Sequence, residues 1–165
     1  MNAPLLQVER VGKRFGGFVA LDSIDLAVAE GERLGLIGPN GSGKSTLVNC
    51  ICGTLHNEDG SVTFAGEKID GFAAHERTRL GLARSFQLPR PFMSMTVAEN
   101  IRVPLIYTVA ARSGHHLSAA EIDDRCMELL ALVALDGKAR HNPRDLTQVE
   151  MRKLELARAK AANPK

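Results

Sequence analysis

The first third of the chain alternates between apolar and polar positions at the period of a β-strand. Leu6, Val8 and Val11 fall in one short strand-like run. Val19-Ala20-Leu21 and Ile24-Asp25-Leu26-Ala27-Val28 predict two more strands, the second with period two. Glu30-Gly31-Glu32 marks a turn, and Arg33-Leu34-Gly35-Leu36-Ile37 predicts a short apolar strand that stops at Gly38. A glycine-rich loop follows, then a helix from about Lys44 to Cys52 ended by Gly53. Asn57-Glu58-Asp59-Gly60 reads as a turn into a strand over Ser61–Phe64. A short helix over Ala73–Leu80 and a strand over Gly81–Gln87 complete the first part.

Beyond residue 88 the period changes to that of helices. Three capping boxes, each a Ser or Thr with Glu three residues later, mark helix starts at Thr96/Glu99, Ser118/Glu121 and Thr147/Glu150. In the second helix Ile122, Cys126, Leu129, Leu130 and Val133 share one face, and Gly137 is the expected stop. The third runs to about Ala162, before Asn163-Pro164. There is no internal repeat and no low-complexity linker. The pattern predicts an α/β protein: a sheet-rich part, residues 1–87, carrying the glycine loop, and a helical part, residues 88–165.

Composition narrows the function classes. Of 165 residues, 44% are hydrophobic and 24% charged, which excludes disordered, collagen-like and coiled-coil chains. Aromatics are 4%, with no Trp, so a base-stacking surface is poorly supplied. A net charge of +2 is too small to argue for nucleic acid, and no nucleic-acid partner is expected. Cys50, Cys52 and Cys126 have neither disulfide-framework nor metal-site spacing and read as small buried thiols. No apolar run approaches a bilayer span of roughly 18 residues; Val103–Ala111 is short and contains Pro104. Leu5 and Leu6 lack the basic flank of a signal peptide. The chain is expected to reach a membrane only through a partner.

The chemistry concentrates in residues 38–46, GPNGSGKST, which is GxxxxGK[ST] with Gly38, Gly43, Lys44 and Ser45 at the fixed positions. Glycines let backbone N–H groups turn inward around a phosphate, a concavity that side chains would block. The helix beginning at Lys44 adds the positive end of its dipole. Lys44 is placed to reach β- and γ-phosphates, and the Ser45 hydroxyl to ligate Mg²⁺. An apolar run before the loop and a helix after it are the context this motif requires.

With this loop in place, the whole chain resembles the ATP-binding subunits of ABC transporters. Residues 11–17, VGKRFGG, are similar to the family's A-loop; this implies that Phe15 stacks on adenine, with Val19 as a second apolar contact. Residues 81–101, GLARSFQLPRPFMSMTVAENI, resemble the Q-loop region, so that Gln87 implies a ligand for Mg²⁺ or for the attacking water. The resemblance assigns Gly38, Pro39, Asn40, Gly41, Ser42, Gly43, Lys44, Ser45 and Thr46 to the nucleotide, Ser45 and Gln87 to Mg²⁺, and Lys44 and Gln87 to catalysis. It implies a P-loop NTPase fold with an antiparallel β subdomain, an incomplete RecA-like core and a helical subdomain. The function implied is binding MgATP and coupling its hydrolysis to import. The wording around Gln87 is most similar to importers of branched-chain or other hydrophobic amino acids. The partners implied are transmembrane permease subunits, a second ATP-binding subunit arranged head-to-tail and, indirectly, a periplasmic or extracellular binding protein. The place implied is the cytoplasmic face of the cell membrane, as a peripheral subunit.

Two departures qualify the resemblance. Where the family's signature LSGGQ is expected, residues 146–150 read Leu-Thr-Gln-Val-Glu; Leu146 and Thr147 fit, both glycines are replaced, and Glu150 replaces Gln. Thr147 and Glu150 still form a capping box, but Val149 adds bulk and Glu150 adds negative charge near an expected anion. The Walker B strand, with its Mg²⁺-binding Asp and catalytic Glu, the D-loop and the switch His are expected to follow Lys165. Turnover by residues 1–165 alone is therefore not expected. His56, His75, His115, His116 and His141 all precede the signature and read as surface residues, and Asp123-Asp124 as a solvated helix face. Other readings are a soluble ABC-type ATPase not linked to transport, a P-loop kinase, and a nucleotide-binding remnant without turnover. A kinase explains residues 38–46 but neither the Gln87 region nor the last helix.

Overall fold

A computed structural model describes residues 3–109, 112, 114 and 117–165. The chain divides into two compact units, Met1–Arg77 and Thr78–Lys165.

The first unit is built on strands β1 (Leu6–Phe15), β2 (Phe18–Val28), β3 (Asp59–Phe64) and β4 (Glu67–Lys68), all antiparallel in the order β2-β1-β3-β4. The two strands expected over Val19–Leu21 and Ile24–Val28 are one, β2. The break in their pattern is a bulge: Lys13 pairs with Leu21 and Val11 with Ile24, so β2 carries an extra residue near Ser23, whose φ is 50°. A matching irregularity in β1 at Arg10 leaves its N–H to Asp25 Oδ1, at 2.7 Å. Helix α1 (Lys44–Ile51) buries Leu47, Cys50 and Ile51. Val8, Val11, Leu21, Val62, Phe64 and Ile69 complete this core, each worth roughly 1.5–3 kcal/mol when a side chain of this size is fully buried.

Arg33–Ile37, expected as a strand, is irregular, and Ile37 is 95% exposed. A strand exists through backbone pairing, and among the described residues none pairs with this run. Gly81–Gln87 is likewise irregular instead of a strand; two amides just beyond it and within it go to a side chain, as described below.

The second unit is helical: α3 (Val97–Pro104), α4 (Ala119–Leu132) and α5 (Gln148–Ala161), with α2 (Ala74–Leu80) before them. All three expected capping boxes form. Glu99, Glu121 and Glu150 each accept from the N-cap amide at 2.7–2.8 Å, and the N-cap hydroxyls accept in return. Pro104 lacks an N–H, and α3 continues as a π-helical turn over Leu105–Val109. Val97, Ile101, Leu105, Cys126, Leu130, Leu154 and Ala157 form the core. The α4 stop is not Gly137. The chain leaves the helix at Ala134, whose φ is 54°, and Gly137 lies in a 3₁₀ turn over Asp136–Lys138. Asn100, wholly buried, clips the preceding loop through Phe92 N–H and C=O and Thr96 C=O, at 2.8–3.1 Å.

Cys50 and Cys126 are buried thiols, and burial pushes Cys126 up to about 11; Cys52 is half-buried. His56, His75 and His141 are exposed, while His115 and His116 lie outside the described residues. No group of residues among those described is arranged to hold a metal by His, Cys, Asp and Glu alone, and no described helix is long and apolar enough to cross a membrane.

The first unit depends on a buried cation. Arg77 is completely buried and donates to four carbonyls: Cys50 at 2.7 Å, Ile51 at 2.9 Å, Phe72 at 3.0 Å and Asp70 at 3.1 Å. Two of these are orphan carbonyls at the C-terminal end of α1, where a positive charge also meets the negative end of the helix dipole. Desolvation lowers the Arg77 pKa, but a guanidinium stays charged. Replacing it with a shape-matched apolar chain, Arg77→Met, removes all four hydrogen bonds, two of them buried, and is expected to destabilise the first unit by on the order of 3 kcal/mol. Urea denaturation followed by circular dichroism measures this, with Arg77→Lys falling between. Coincident midpoints for Arg77→Met and wild type would remove the guanidinium from this role.

Candidate functional site

The glycine loop closes on its own lysine. Lys44 Nζ donates to Gly38 O at 2.7 Å, Pro39 O at 2.6 Å and Ser42 Oγ at 3.1 Å, so all three ammonium protons are directed across the loop. Ser42 N–H turns back to Pro39 O at 3.3 Å. Gly43 enters α1 with φ 84°, and a Cβ there would stand 2.5 Å from Ala20 O, so only glycine fits. A Cβ on Gly38 would stand 2.7 Å from Ser42 Oγ and fill the cradle. Asn40, Gly41 and Ser45 are exposed at its rim, and Thr46 is half-buried in the first turn of α1.

The start of α1 differs from those of α3, α4 and α5. The last three carry side-chain caps, whereas Gly43 offers none. No side chain caps the first N–H groups of α1, at a helix end where the dipole favours an anion.

Phe15 and Val19 sit at the end of the β1–β2 hairpin. Phe15 pairs with Phe18 and Arg14 with Val19, next to the Ala20 carbonyl that abuts Gly43. Phe15 is 48% exposed, with Lys13 Nζ 5.5 Å from its ring centre. Lys13 is held by Glu58 at 2.9 Å. Phe18, 62% exposed, is a second aromatic at the same hairpin end that the sequence reading passed over, although the FGGF palindrome of Phe15–Phe18 signals a two-glycine turn flanked by rings.

Gln87 belongs to the second unit and lies exposed at a bend. Its flanks are held from α5. Glu155 Oε1 accepts from Phe86 N–H and Oε2 from Arg90 N–H, each at 3.4 Å. Arg158 donates to Arg90 O at 2.8 Å and to Glu155 at 3.1 Å, and lies 4.9 Å from the Phe92 ring centre. Arg84 and Arg90, which look scattered in sequence, flank the Phe86 ring at 4.9 and 5.6 Å. Glu155 was missed because MRKLELARA reads as an ordinary amphipathic helix; the signal was a carboxylate set between Leu154 and Ala157 on the buried stripe.

At the signature position, Gln148 and Val149 are exposed in the first turn of α5. The Glu150 carboxylate does not project forward. It turns back onto Thr147 N–H and Oγ, at 2.8 and 2.9 Å, and onto Lys138 Nζ at 2.6 Å. The Lys138 partner, and then Thr147, lower its pKa to about 2. Lys138 thus offsets the charge that Glu150 adds.

The family model described as ABC transporter matches residues 21–165. The sulfate/thiosulfate import ATP-binding protein CysA 2 of Shewanella oneidensis is 40% identical over 97% of the chain and 44% of its own length. A probable branched-chain amino acid transport ATP-binding protein, LivG of Archaeoglobus fulgidus, is 35% identical over 94% of the chain and 62% of its own length. The chain thus spans 44% and 62% of the length of these two relatives. Among solved structures, a dimeric ATP-binding cassette in a post-hydrolysis state, bound to ADP and Pi, superposes with a TM-score of 0.84 at 29% identity, over 96% of this chain and 70% of that one. The fold is that of the ABC ATPase cassette.

The Glu150 arrangement has a pH signature. Its folded pKa lies below the unfolded value near 4.5, so its contribution to stability is present above about pH 4.5 and is lost as pH falls toward about 2. The thermal midpoint of Glu150→Gln is expected below that of wild type at pH 7, with the gap closing by pH 2. Carboxyl-detected NMR should place the Glu150 titration near 2 in wild type and higher in Lys138→Met. An ordinary midpoint in wild type would contradict the ion pair.

Proposed function

This chain belongs to the ABC transporter family, and on that premise we propose that it is the nucleotide-binding part of an importer's ATP-binding subunit. The observation that carries the reading is the pairing of an α1 start that no side chain caps with Lys44 stationed across the loop, its ammonium held by loop oxygens alone. Gly38, Asn40, Gly41, Ser42 and Gly43 would surround the β-phosphate with backbone N–H groups, Pro39, which has no N–H, would shape the loop around it, and Thr46 would continue the ring into α1. Lys44 exchanges its three loop acceptors for β- and γ-phosphate oxygens. Exposed Phe15 would stack on adenine, with Val19 beside it. The oxygen chemistry of the Ser45 hydroxyl and the Gln87 amide suits Mg²⁺, and these two residues would hold it. When bound, Mg²⁺ neutralises charge on the β- and γ-phosphoryl oxygens.

ATP hydrolysis in this reading is shared with a second ATP-binding subunit placed head-to-tail, which the dimeric cassette with ADP and Pi supports. It drives transmembrane permease subunits fed by a binding protein outside the cell, with this subunit peripheral at the cytoplasmic face. The proposed cargo is branched-chain or other hydrophobic amino acids, in line with the LivG relative. Sulfate is the second reading, favoured by the 40% identity to CysA 2. Uptake of radiolabelled leucine against sulfate, in cells with and without the gene, separates the two.

Titration with a fluorescent ATP analogue tests the site. Lys44→Ala removes charge-assisted hydrogen bonds worth about 1.5–3 kcal/mol, so affinity is expected to fall roughly 10- to 100-fold. Phe15→Ala should cost about 1 kcal/mol, roughly fivefold, and wild type should accept GTP nearly as well, because stacking tolerates any base. Unchanged affinity in folded Lys44→Ala protein would refute the nucleotide site, and unchanged affinity in Phe15→Ala the adenine platform.

A further inference from the structure

The segment around Gln87 has no regular structure, yet its backbone is not left to solvent. The side chain of Glu155 is 7% exposed, and its two oxygens take one amide on each side of the bend, Phe86 N–H before Gln87 and Arg90 N–H after it. A single buried carboxylate therefore bridges the two feet of a short loop whose tip, Gln87-Leu88, is exposed. Arg158, one turn further along α5, neutralises that carboxylate and takes the Arg90 carbonyl with the same nitrogen. Its guanidinium also faces the Phe92 ring, and its buried Nε has no hydrogen-bond partner among the described residues. The guanidinium thus ties this segment to α5, through the Arg90 carbonyl on one side and Glu155 on the other. Pro89 and Pro91 fix φ on either side of Arg90, so the loop has little freedom to move between its anchors.

We propose that Glu155 and Arg158 are positioning residues for Gln87: together they fasten the loop Phe86–Phe92 to α5, so that displacement of α5 carries the Gln87 side chain with it. The importance of this for the nucleotide rests on the reading of Gln87 as a Mg²⁺ ligand; the fastening itself does not. A charge-neutral, well-packed pair on the buried side of α5 would also be explained by helix packing alone, but packing does not require both carboxylate oxygens to point at backbone amides of an irregular loop.

Two measurements on the same chain test it. In the first, amide hydrogen exchange is followed by NMR. Glu155→Ala is expected to accelerate exchange at Phe86 and Arg90 about tenfold or more, with the amides of α3 and α4 unchanged. Glu155→Gln keeps one acceptor oxygen, so only one of the two amides should lose protection. This variant decides the matter if Glu155→Ala does not fold. Wild-type exchange at both amides in Glu155→Gln would overturn the fastening.

In the second, Mn²⁺ binding in the presence of ATP is measured by electron paramagnetic resonance. Gln87→Ala and Glu155→Ala should weaken Mn²⁺ by the same factor, roughly threefold to tenfold. The double variant should be no weaker, and metal-free ATP affinity should stay unchanged. Additive losses, or full Mn²⁺ affinity in Glu155→Ala beside a loss in Gln87→Ala, would overturn the positioning role. No loss in Gln87→Ala would overturn the Mg²⁺ role of Gln87, and the positioning role with it, while the exchange data still decide the fastening.

Discussion

A backbone N–H or C=O removed from water must find a partner, and at several places where this chain leaves regular structure a side chain supplies one. Arg77 serves four carbonyls, two of them at the end of α1. Asn100 serves both groups of Phe92, and Asp25 takes the amide freed by the β1 bulge. Glu99, Glu121 and Glu150 close the starts of three helices, and Glu155 holds two loop amides. Against that background the start of α1 is the exception. Its donors have no side-chain acceptor, and the proposed phosphate site is where the rule is suspended.

The same constraint explains what was legible in the sequence. Local chemistry read well. The capping boxes and the α1 helix depend on neighbours a few residues away, and they appear as expected. Apolar runs read less well. Arg33–Ile37 and Gly81–Gln87 have strand-like composition, but composition reports a preference for burial, while a strand needs a partner edge. The α4 stop was misplaced because a residue with φ > 0 need not be glycine; Ala134 adopts it, held by its N–H to Ala131 O at 3.0 Å.

The candidate site was legible to a similar depth. Residues 38–46 announce themselves by spacing, and in the structure they form a loop that closes on Lys44 and leads into α1. The long-range partners did not announce themselves. Glu155 and Lys138 look like surface charges in sequence, and only the fold shows one carboxylate buried beneath the Gln87 loop and one ammonium answering the charge of Glu150. Side chains that act on distant backbone leave no periodic trace.

The closed state of the glycine loop carries a thermodynamic consequence. Its ammonium is not a bare charge awaiting any anion; three short contacts already satisfy it. A monovalent anion such as chloride offers it little that the loop carbonyls do not. A polyphosphate must supply several oxygens at once before the exchange is favourable. Discrimination among anions at the proposed site then arises from geometry and valence, because the loop oxygens are given up only for a set of oxygens of matching arrangement.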